Sequence, residues 1–416
     1  MKRPGNSKYM KTLNRMNILN IIKKNEAISR QQIAEMTGLT PPAITGIIRD
    51  LIEQGLVKES GLGLSQGGRR PVELAFHAQA AYVLGIEITS KETTLALADL
   101  QNKPELLKSF PLAMNEPQTA LPALAAAVKE VLASCAQQSK KILGIGIAFP
   151  GMLTISGCDV RRAVNLGPLW RDYPIKSFLE ESLGLPVFLE TNSKAAALGE
   201  KWFGGGKGCE NLIYINMGEG ISAGIILNHN IFQGSQGYAG QIGHMVMEED
   251  GPLCRCGNRG CLEALCGAPA LLQRVRDNWQ HLQENDWLNL QEKDKMTLSV
   301  GEFLQALNQQ DTCASSVAKE AMRYMGMAVA NMINFYNPDK VFIGGKLAFA
   351  AELFLAELHQ VVRAHVFSEV GAVTPVEISA MGADSGVIGA CALALRKLLH
   401  SADSPLFAFS VSEEVE

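Results

Sequence analysis

The period of apolar and polar positions changes near residue 80, and that change divides the chain. From residue 10 to about 25, Leu13, Met16, Leu19, Ile21 and Ile22 recur at helical spacing with Lys11, Arg15, Lys23 and Lys24 outside the stripe, which predicts a first helix. Ser29 with Gln32 three residues on is a capping-box pattern. The short helix it opens is expected to bury Ile33 and Met36 and to stop at Gly38. Thr40 is placed to cap a third helix, with Pro41 at the first position, where a missing N–H costs nothing. Ile44, Ile47, Ile48, Leu51 and Ile52 form its expected buried face.

Two short helices joined by a tight Gly-containing turn, the second presenting Pro42, Thr45, Gly46 and Arg49 outward, read as a helix-turn-helix. Beyond Gly55, LVKESG and RRPVELAFH read as strands around the loop LGLSQGG, a wing ending in Arg69 and Arg70. Residues 1–80 are therefore expected to be a winged helix-turn-helix. A three-helix module for dimerisation or protein docking is the competing interpretation.

From residue 81 the pattern is β-rich α/β. YVLGIEITSKETTLALADL is two apolar strands around a polar turn, and NLIYINMGEGISAGIIL at 211–227 repeats that plan with a Gly-rich turn, a weak internal duplication. Strand and helix signals alternate after each hairpin: ILGIGIAFPG, a helix near 174–183, PVFLE and SKAAALGEKWF; then a helix near 315–336, KVFIGG and GVIGACALALRKLLH. Alternation in two related halves predicts two α/β lobes with a ligand cleft between them. The first would span 81–195, completed by a C-terminal helix at about 384–400, and the second 196–383. Residues 275–300, polar and charged, are expected to be a solvated helical insertion, and the tail 401–416 to be disordered, with a small docking motif as the alternative.

Charge adds a partner. Residues 1–80 hold twelve Lys+Arg against six Asp+Glu, so a head of +6 precedes a body of −10 within a net charge of −4. With the outward Thr45 and Arg49 and the basic wing, that asymmetry points to DNA. Thr45 and Arg49 would approach base edges while Arg69, Arg70 and Lys11 or Arg15 hold phosphates; Thr40, Pro41 and Pro42 complete the DNA-facing set. No apolar run approaches the length of a membrane span and no apolar signal core follows the basic N-terminus, so a cytoplasmic protein without membrane insertion is expected.

Reduced thiols in that compartment favour metal over disulfides. His244, Cys254, Cys256 and Cys261 fall in the order His-x9-Cys-x-Cys-x4-Cys, with glycines at 251, 257 and 260 to let the loop fold tightly. Three thiolates and one imidazole suit a closed tetrahedral structural Zn²⁺ site, against the alternative of buried free thiols beside a satisfied histidine. Cys135, Cys158, Cys209, Cys266, Cys313 and Cys391 are expected to be small core residues.

The strings CRCGNRGCLE, GQIGH, GEGISAG, IAFPG with NLGPLW, and ETNSKAAALGE resemble the ROK family (repressors, open reading frames and kinases) over about 82–400. The resemblance implies an actin- and hexokinase-like, ribonuclease H-like fold. With the winged helix in front, the whole chain resembles sugar-responsive repressors of the NagC/Mlc/XylR type. A homodimer or homotetramer on operator DNA, controlled by a sugar, a sugar phosphate or a protein partner, is then implied. So is the wall that reads the effector, Asn192 with Thr191, Gln241, His244 and Glu263, with His244 also a metal ligand.

A sugar kinase is the alternative, and the resemblance itself argues against it. The kinases' Asn-Asp pair, whose Asp takes the sugar proton, aligns with Thr191 and Asn192, and an amide cannot act as that base. Their Asp-x-Gly-Gly-Thr phosphate turn aligns with Glu87, Thr89, Ser90 and Lys91. Their Gly-Thr-Gly turn reads Gly218-Glu219-Gly220, putting a carboxylate where phosphates would lie. No catalytic residue and no enzyme activity are expected.

Overall fold

A computed structural model describes residues 7–62, 70–154, 159–283, 285–290, 295–367, 369, 374–400 and 406–407. The head runs α1 (Ser7–Lys24), β1 (Ile28–Ser29), α2 (Arg30–Thr37), α3 (Pro41–Glu53), β2 (Val57–Leu62) and β3 (Val72–Phe76), with the strands ordered β1-β3-β2. Its core is Ile18, Leu19 and Ile22 of α1, Ile33 of α2, and Ile44, Ile48 and Leu51 of α3. The capping box forms: the Ser29 N–H donates to Gln32 Oε1 at 2.9 Å, and the Gln32 N–H to Ser29 Oγ at 3.3 Å. Gly38 ends α2 in the left-handed region. Two-residue β1, which pairs Ile28 with Leu74, is too short to show a period and was not anticipated.

Three expectations for the head fail. Arg15 is only 3% exposed, turned inward with Thr12, so it cannot hold a phosphate; burial pushes its guanidinium pKa down, against the opposing pull of Asp50. Met36 is 63% exposed, not buried. Thr40 occupies the N-cap position of α3, but its side chain makes no capping bond.

The body continues with β4 (Tyr82–Ile88), β5 (Thr93–Asp99), β6 (Glu105–Phe110), α4 (Pro117–Gln137), β7 (Ile142–Phe149), β8 (Met152–Leu153), β9 (Val160–Arg162), β10 (Arg171–Tyr173), α5 (Ile175–Leu183) and β11 (Val187–Thr191). Next come α6 (Asn192–Phe203), β12 (Leu212–Met217), β13 (Ile221–Leu227), β14 (Asn230–Ile231), α7 (Leu262–Cys266), α8 (Ala268–Asp277), α9 (Trp287–Leu290) and α10 (Val300–Asn308). The chain closes with α11 (Thr312–Tyr336), β15 (Lys340–Gly344), α12 (Ala348–Leu353), α13 (Leu355–His365), β16 (Val376–Ile378) and α14 (Ser385–Leu399).

One five-stranded sheet is ordered β11-β7-β4-β5-β6 and the other β16-β15-β12-β13-β14. Each has a hairpin at its centre, β4 with β5 or β12 with β13, a third strand beyond it, and two later strands on the other side. The duplication that was faint in the residues is explicit in the topology.

Contacts divide the chain into two units. The first, Met1–Ile147, Leu166–Leu189 and Ala390–Glu416, joins the head to the first sheet. Within it Lys23 Nζ donates to the Leu100 carbonyl at 2.8 Å, and Trp170 Nε1 donates to the Met114 carbonyl. The second is Ala148–Asn165 with Glu190–Gly389; its core gathers Ile213, Ile215 and Ile225 from the sheet with Leu265, Leu271, Met325 and Val329 from α7, α8 and α11.

Four further expectations change. The described residues of 275–300 do not form a solvated helix: Leu288 and Leu298 are buried, Trp279, Leu282 and Trp287 pack on the core, and Asp286 accepts the N–H groups of Gln283 and Thr312. Of the tail only Leu406 and Phe407 are described, and Phe407 is fully buried. Among the described residues α4 alone is long and apolar enough to cross a membrane by length and composition. Lys129 and Glu130 interrupt its apolar run, and one side is buried through Leu121, Leu124 and Val128. Cys135, Cys266 and Cys391 are buried as expected, Cys209 and Cys313 are half-buried, and Cys158 lies outside the described residues.

Candidate functional site

The metal loop is built as a tight hairpin. Val246 bridges Cys261 and Leu253 bridges Arg259, while the Cys254 N–H donates to the Asn258 carbonyl at 2.7 Å and the Gly257 N–H to the Cys254 carbonyl at 2.9 Å. Gly260 has φ +63°, and a Cβ there would sit 1.5 Å from the Glu248 carbonyl oxygen, so the turn admits no side chain. The folded hairpin brings the ligand atoms of His244, Cys254, Cys256 and Cys261 within 4.8 Å of one another. Cys256 Sγ and Cys261 Sγ are 3.7 Å apart, and His244 Nδ1 is 3.8 Å from Cys254 Sγ. Thiolates about 2.3 Å from a tetrahedral zinc would lie about 3.8 Å apart. The cluster therefore has the size and donor set of a closed metal site.

Without a metal, burial pushes the Cys261 thiol up to about 12, whereas the Asn258 backbone N–H lowers that of exposed Cys256. A cation would displace those protons.

Of the expected effector-wall residues, Glu263 bonds to β13 directly, and chain neighbours of Asn192, Gln241 and His244 pack against that strand. On β13 the Ile221 N–H donates to Glu263 Oε2 at 3.1 Å, and the Ala223 N–H donates to the Gly240 carbonyl at 2.7 Å, beside Gln241. A Cβ on Gly224 would meet the Ser193 carbonyl oxygen at 2.1 Å, next to Asn192 in the first turn of α6, and one on Gly243 would meet the Ile221 carbonyl oxygen at 2.3 Å, next to His244. Gln241 is exposed, whereas Asn192, His244 and Glu263 are half-buried. Amides, a carboxylate and an imidazole are all groups able to hydrogen-bond hydroxyls. Glu219, in the turn between β12 and β13, is also half-buried.

Two groups of residues were missed by sequence reasoning. Arg255, between two cluster cysteines, extends Nη2 to Glu263 Oε1 at 3.2 Å and Nη1 to Asn165 Oδ1 at 3.5 Å. Lys194, 2% exposed, donates to Gln233 Oε1 at 2.6 Å and to the Gly237 carbonyl at 2.7 Å, while Gln233 Nε2 donates to Glu190 Oε2 at 2.7 Å. Burial lowers the Lys194 pKa and Glu190 opposes that shift. A lysine inside the alanine-rich α6 carried a weak signal; the Arg255 contact, 90 residues away in sequence at Asn165, carried none.

On the head, Pro41, Pro42, Thr45 and Arg49 lie on one exposed face of α3, with Thr40 also exposed at its start. Thr45 Oγ1 donates to the Pro41 carbonyl at 2.9 Å. Arg49, 72% exposed, is 3.6 Å from Asp50 and 3.7 Å from Glu53. Exposed ion pairs of this kind hold a side chain weakly. Arg70 is exposed, and Arg69 lies outside the described residues.

Two family models match this chain: the ROK family over residues 83–397, and a winged helix-turn-helix DNA-binding module over 12–58. The xylose repressor of Caldicellulosiruptor bescii is 31% identical over 95% of this chain and 98% of its own. The DNA-binding transcriptional dual regulator NagC of Escherichia coli strain K12 is 30% identical over 95% of each. A crystal structure of a ROK family transcriptional regulator, homologue of the E. coli MLC protein, superposes with a TM-score of 0.82 at 26% identity, covering 95% of this chain and 98% of its own. A ROK family glucokinase from Streptomyces griseus, in complex with glucose and AMPPNP, reaches 0.66 at 27% identity, covering 75% of this chain and 98% of its own. Neighbours named as regulators thus match head and body together, whereas this kinase leaves a quarter of the chain uncovered. The chain belongs to the ROK family, as a transcriptional regulator with an N-terminal winged helix-turn-helix and not as an enzyme.

Proposed function

We propose that the protein is a sugar-responsive repressor of carbohydrate uptake or catabolism genes, acting in the cytoplasm as a dimer on operator DNA. The observation that carries this reading is the full-length match of head and body to a protein named as a xylose repressor and to one named as a DNA-binding transcriptional dual regulator. Thr45 and Arg49 reach base edges in the major groove, with Pro41 and Pro42 beside them; Arg70 and Arg69 hold the phosphate backbone at the wing. Asn192, Gln241, His244 and Glu263 hydrogen-bond the effector's hydroxyls. A sugar or sugar phosphate that binds better to the lobe arrangement unsuited to the operator releases DNA by its differential affinity for the two arrangements.

His244, Cys254, Cys256 and Cys261 hold a structural Zn²⁺. The ion supplies no chemistry beyond fixing the loop that carries Arg255 and leads into Glu263. Asn192 stands where a kinase needs a base, and the amide leaves the sugar's hydroxyl protonated.

Operator titration by fluorescence anisotropy, with and without saturating hexoses, pentoses, N-acetylhexosamines and their phosphates, tests the reading. We expect one sugar class to weaken operator binding about tenfold or more, the usual scale of an allosteric coupling. Operator affinity unchanged by the whole panel would transfer control to a protein partner. Sugar-dependent ADP release that disappears in Glu263→Ala would restore the kinase.

A further inference from the structure

We infer that Arg255 makes the effector wall selective for a sugar carrying an anionic substituent, a carboxylate or a phosphate. This deepens the sugar-responsive reading and rests on it. Both oxygens of Glu263 already have donors: Oε2 takes the Ile221 N–H at 3.1 Å and Oε1 faces Arg255 Nη2 at 3.2 Å. A neutral sugar that donates a hydroxyl to the second lone pair of Oε1 shares that oxygen with a guanidinium and offers the cation no charge of its own. A sugar with an anionic group beside a hydroxyl satisfies both partners, the hydroxyl at Glu263 and the anion at Arg255.

The arginine is placed for that exchange. Its side chain is 56% exposed while that of Glu263 is 16% exposed, so the cation is the accessible member of the pair. Its second contact, Asn165 Oδ1 at 3.5 Å, is long and gives little hold. Guanidinium geometry favours two-point recognition of carboxylate or phosphate oxygens, which a lysine does not reproduce. On the other side of Glu263, the turn that carries Glu219 packs so closely that a Cβ added to Gly220 would lie 2.8 Å from Glu263 Oε2. An anion set against that turn would meet like charge, so the Arg255 side is where it is tolerated.

Arg255 lies between the ligand pair Cys254 and Cys256, so an effector that pulls on its guanidinium pulls directly on the metal hairpin. The arginine is thus a specificity residue and the first link from effector to loop.

The test is titration calorimetry on the full-length zinc-loaded protein, wild type, Arg255→Gln and Arg255→Lys, with matched probes. Xylose against xylonate and glucose against glucuronate form the carboxylate arm; glucose and N-acetylglucosamine against their 6-phosphates form the phosphate arm. In wild type one anionic probe should bind about tenfold or more tightly than its neutral parent, the scale of a charge-assisted hydrogen bond. Arg255→Gln should bring that ratio close to one, and Arg255→Lys should retain part of it. Zinc content and sugar-free operator affinity should be equal in all three, which a merely structural role for Arg255 would not leave intact. Equal affinity for neutral and anionic probes in wild type overturns the inference whether or not the variants fold, as does a preference that survives Arg255→Gln; either result leaves sugar responsiveness standing. No binding by any probe overturns sugar responsiveness and this inference together.

Discussion

Removing one thiol from the metal hairpin should cost the protein its ion. Wild type is expected to release about one zinc per chain on thiol modification and Cys261→Ala close to none, read by a colorimetric chelator. Retention of a full equivalent by Cys261→Ala would exclude the four-ligand site. On the head, Arg49→Ala should lose about 1 to 3 kcal/mol of specific operator binding, whereas Arg70→Ala should weaken binding to all sequences and reduce the salt slope by about 1. Anisotropy titrations at several salt concentrations separate the two effects. Of the site residues, the metal set was legible because all four fall within a short span and spacing alone brings them together. Arg255 was not, because its importance comes from Asn165 and Glu263, which only the folded second unit places beside it. Arg15 was misjudged for the same reason. A helical stripe shows which residues share a face, but not how that face is rotated against its neighbours.

At the scale of elements, β13 packs against the segments that carry the proposed effector wall, and its close fit to α6 is testable. Gly224 packs against the first turn of that helix, where a methyl group would lie 2.1 Å from the Ser193 carbonyl oxygen and 2.7 Å from Ala197 Cβ. Gly224→Ala must displace backbone, so a loss of about 1 to 3 kcal/mol is expected from a urea midpoint, together with weaker effector response as Asn192 moves. An unchanged midpoint would mean that α6 shifts freely. Helices α1, α2 and α3, both central hairpins and α6 were readable from periodicity and caps, since those signals depend on neighbours within a few residues. Strands β1 and β14 were not, since two-residue strands exist only through their pairing partners.

For the whole molecule, the question is how the body informs the head, and Lys23 marks a place where they touch. This lysine of α1 donates to the Leu100 carbonyl at the end of β5 and lies 5.7 Å from the Phe76 ring centroid. Burial lowers its pKa to about 8 from the ordinary 10.5, partly offset by Asp99. Between those values the unfolded chain binds the extra proton, so stability associated with Lys23 rises as pH rises from about 8 towards 10.5 and is at its lowest below 8. Melting temperatures of wild type should therefore gain on those of Lys23→Met across that interval; parallel profiles would refute the burial. If the contact also relays the effector signal, Lys23→Met should retain operator affinity and lose part of its response to sugar.

The amino-acid sequence by itself determined the modular order, a basic winged helix followed by a duplicated α/β body, and the His/Cys hairpin that could hold a metal. Each is written in short-range periods, caps and spacings. Tertiary structure alone decided which charges are usable. Arg15 is withdrawn into the head, Lys23 is spent on the Leu100 carbonyl, Lys194 is locked to Gln233 and Gly237, and Arg255 is set against Glu263. A charge acquires its role from burial and from its partners. In a fold with a long-range sheet order such as β11-β7-β4-β5-β6, those partners come from distant parts of the chain.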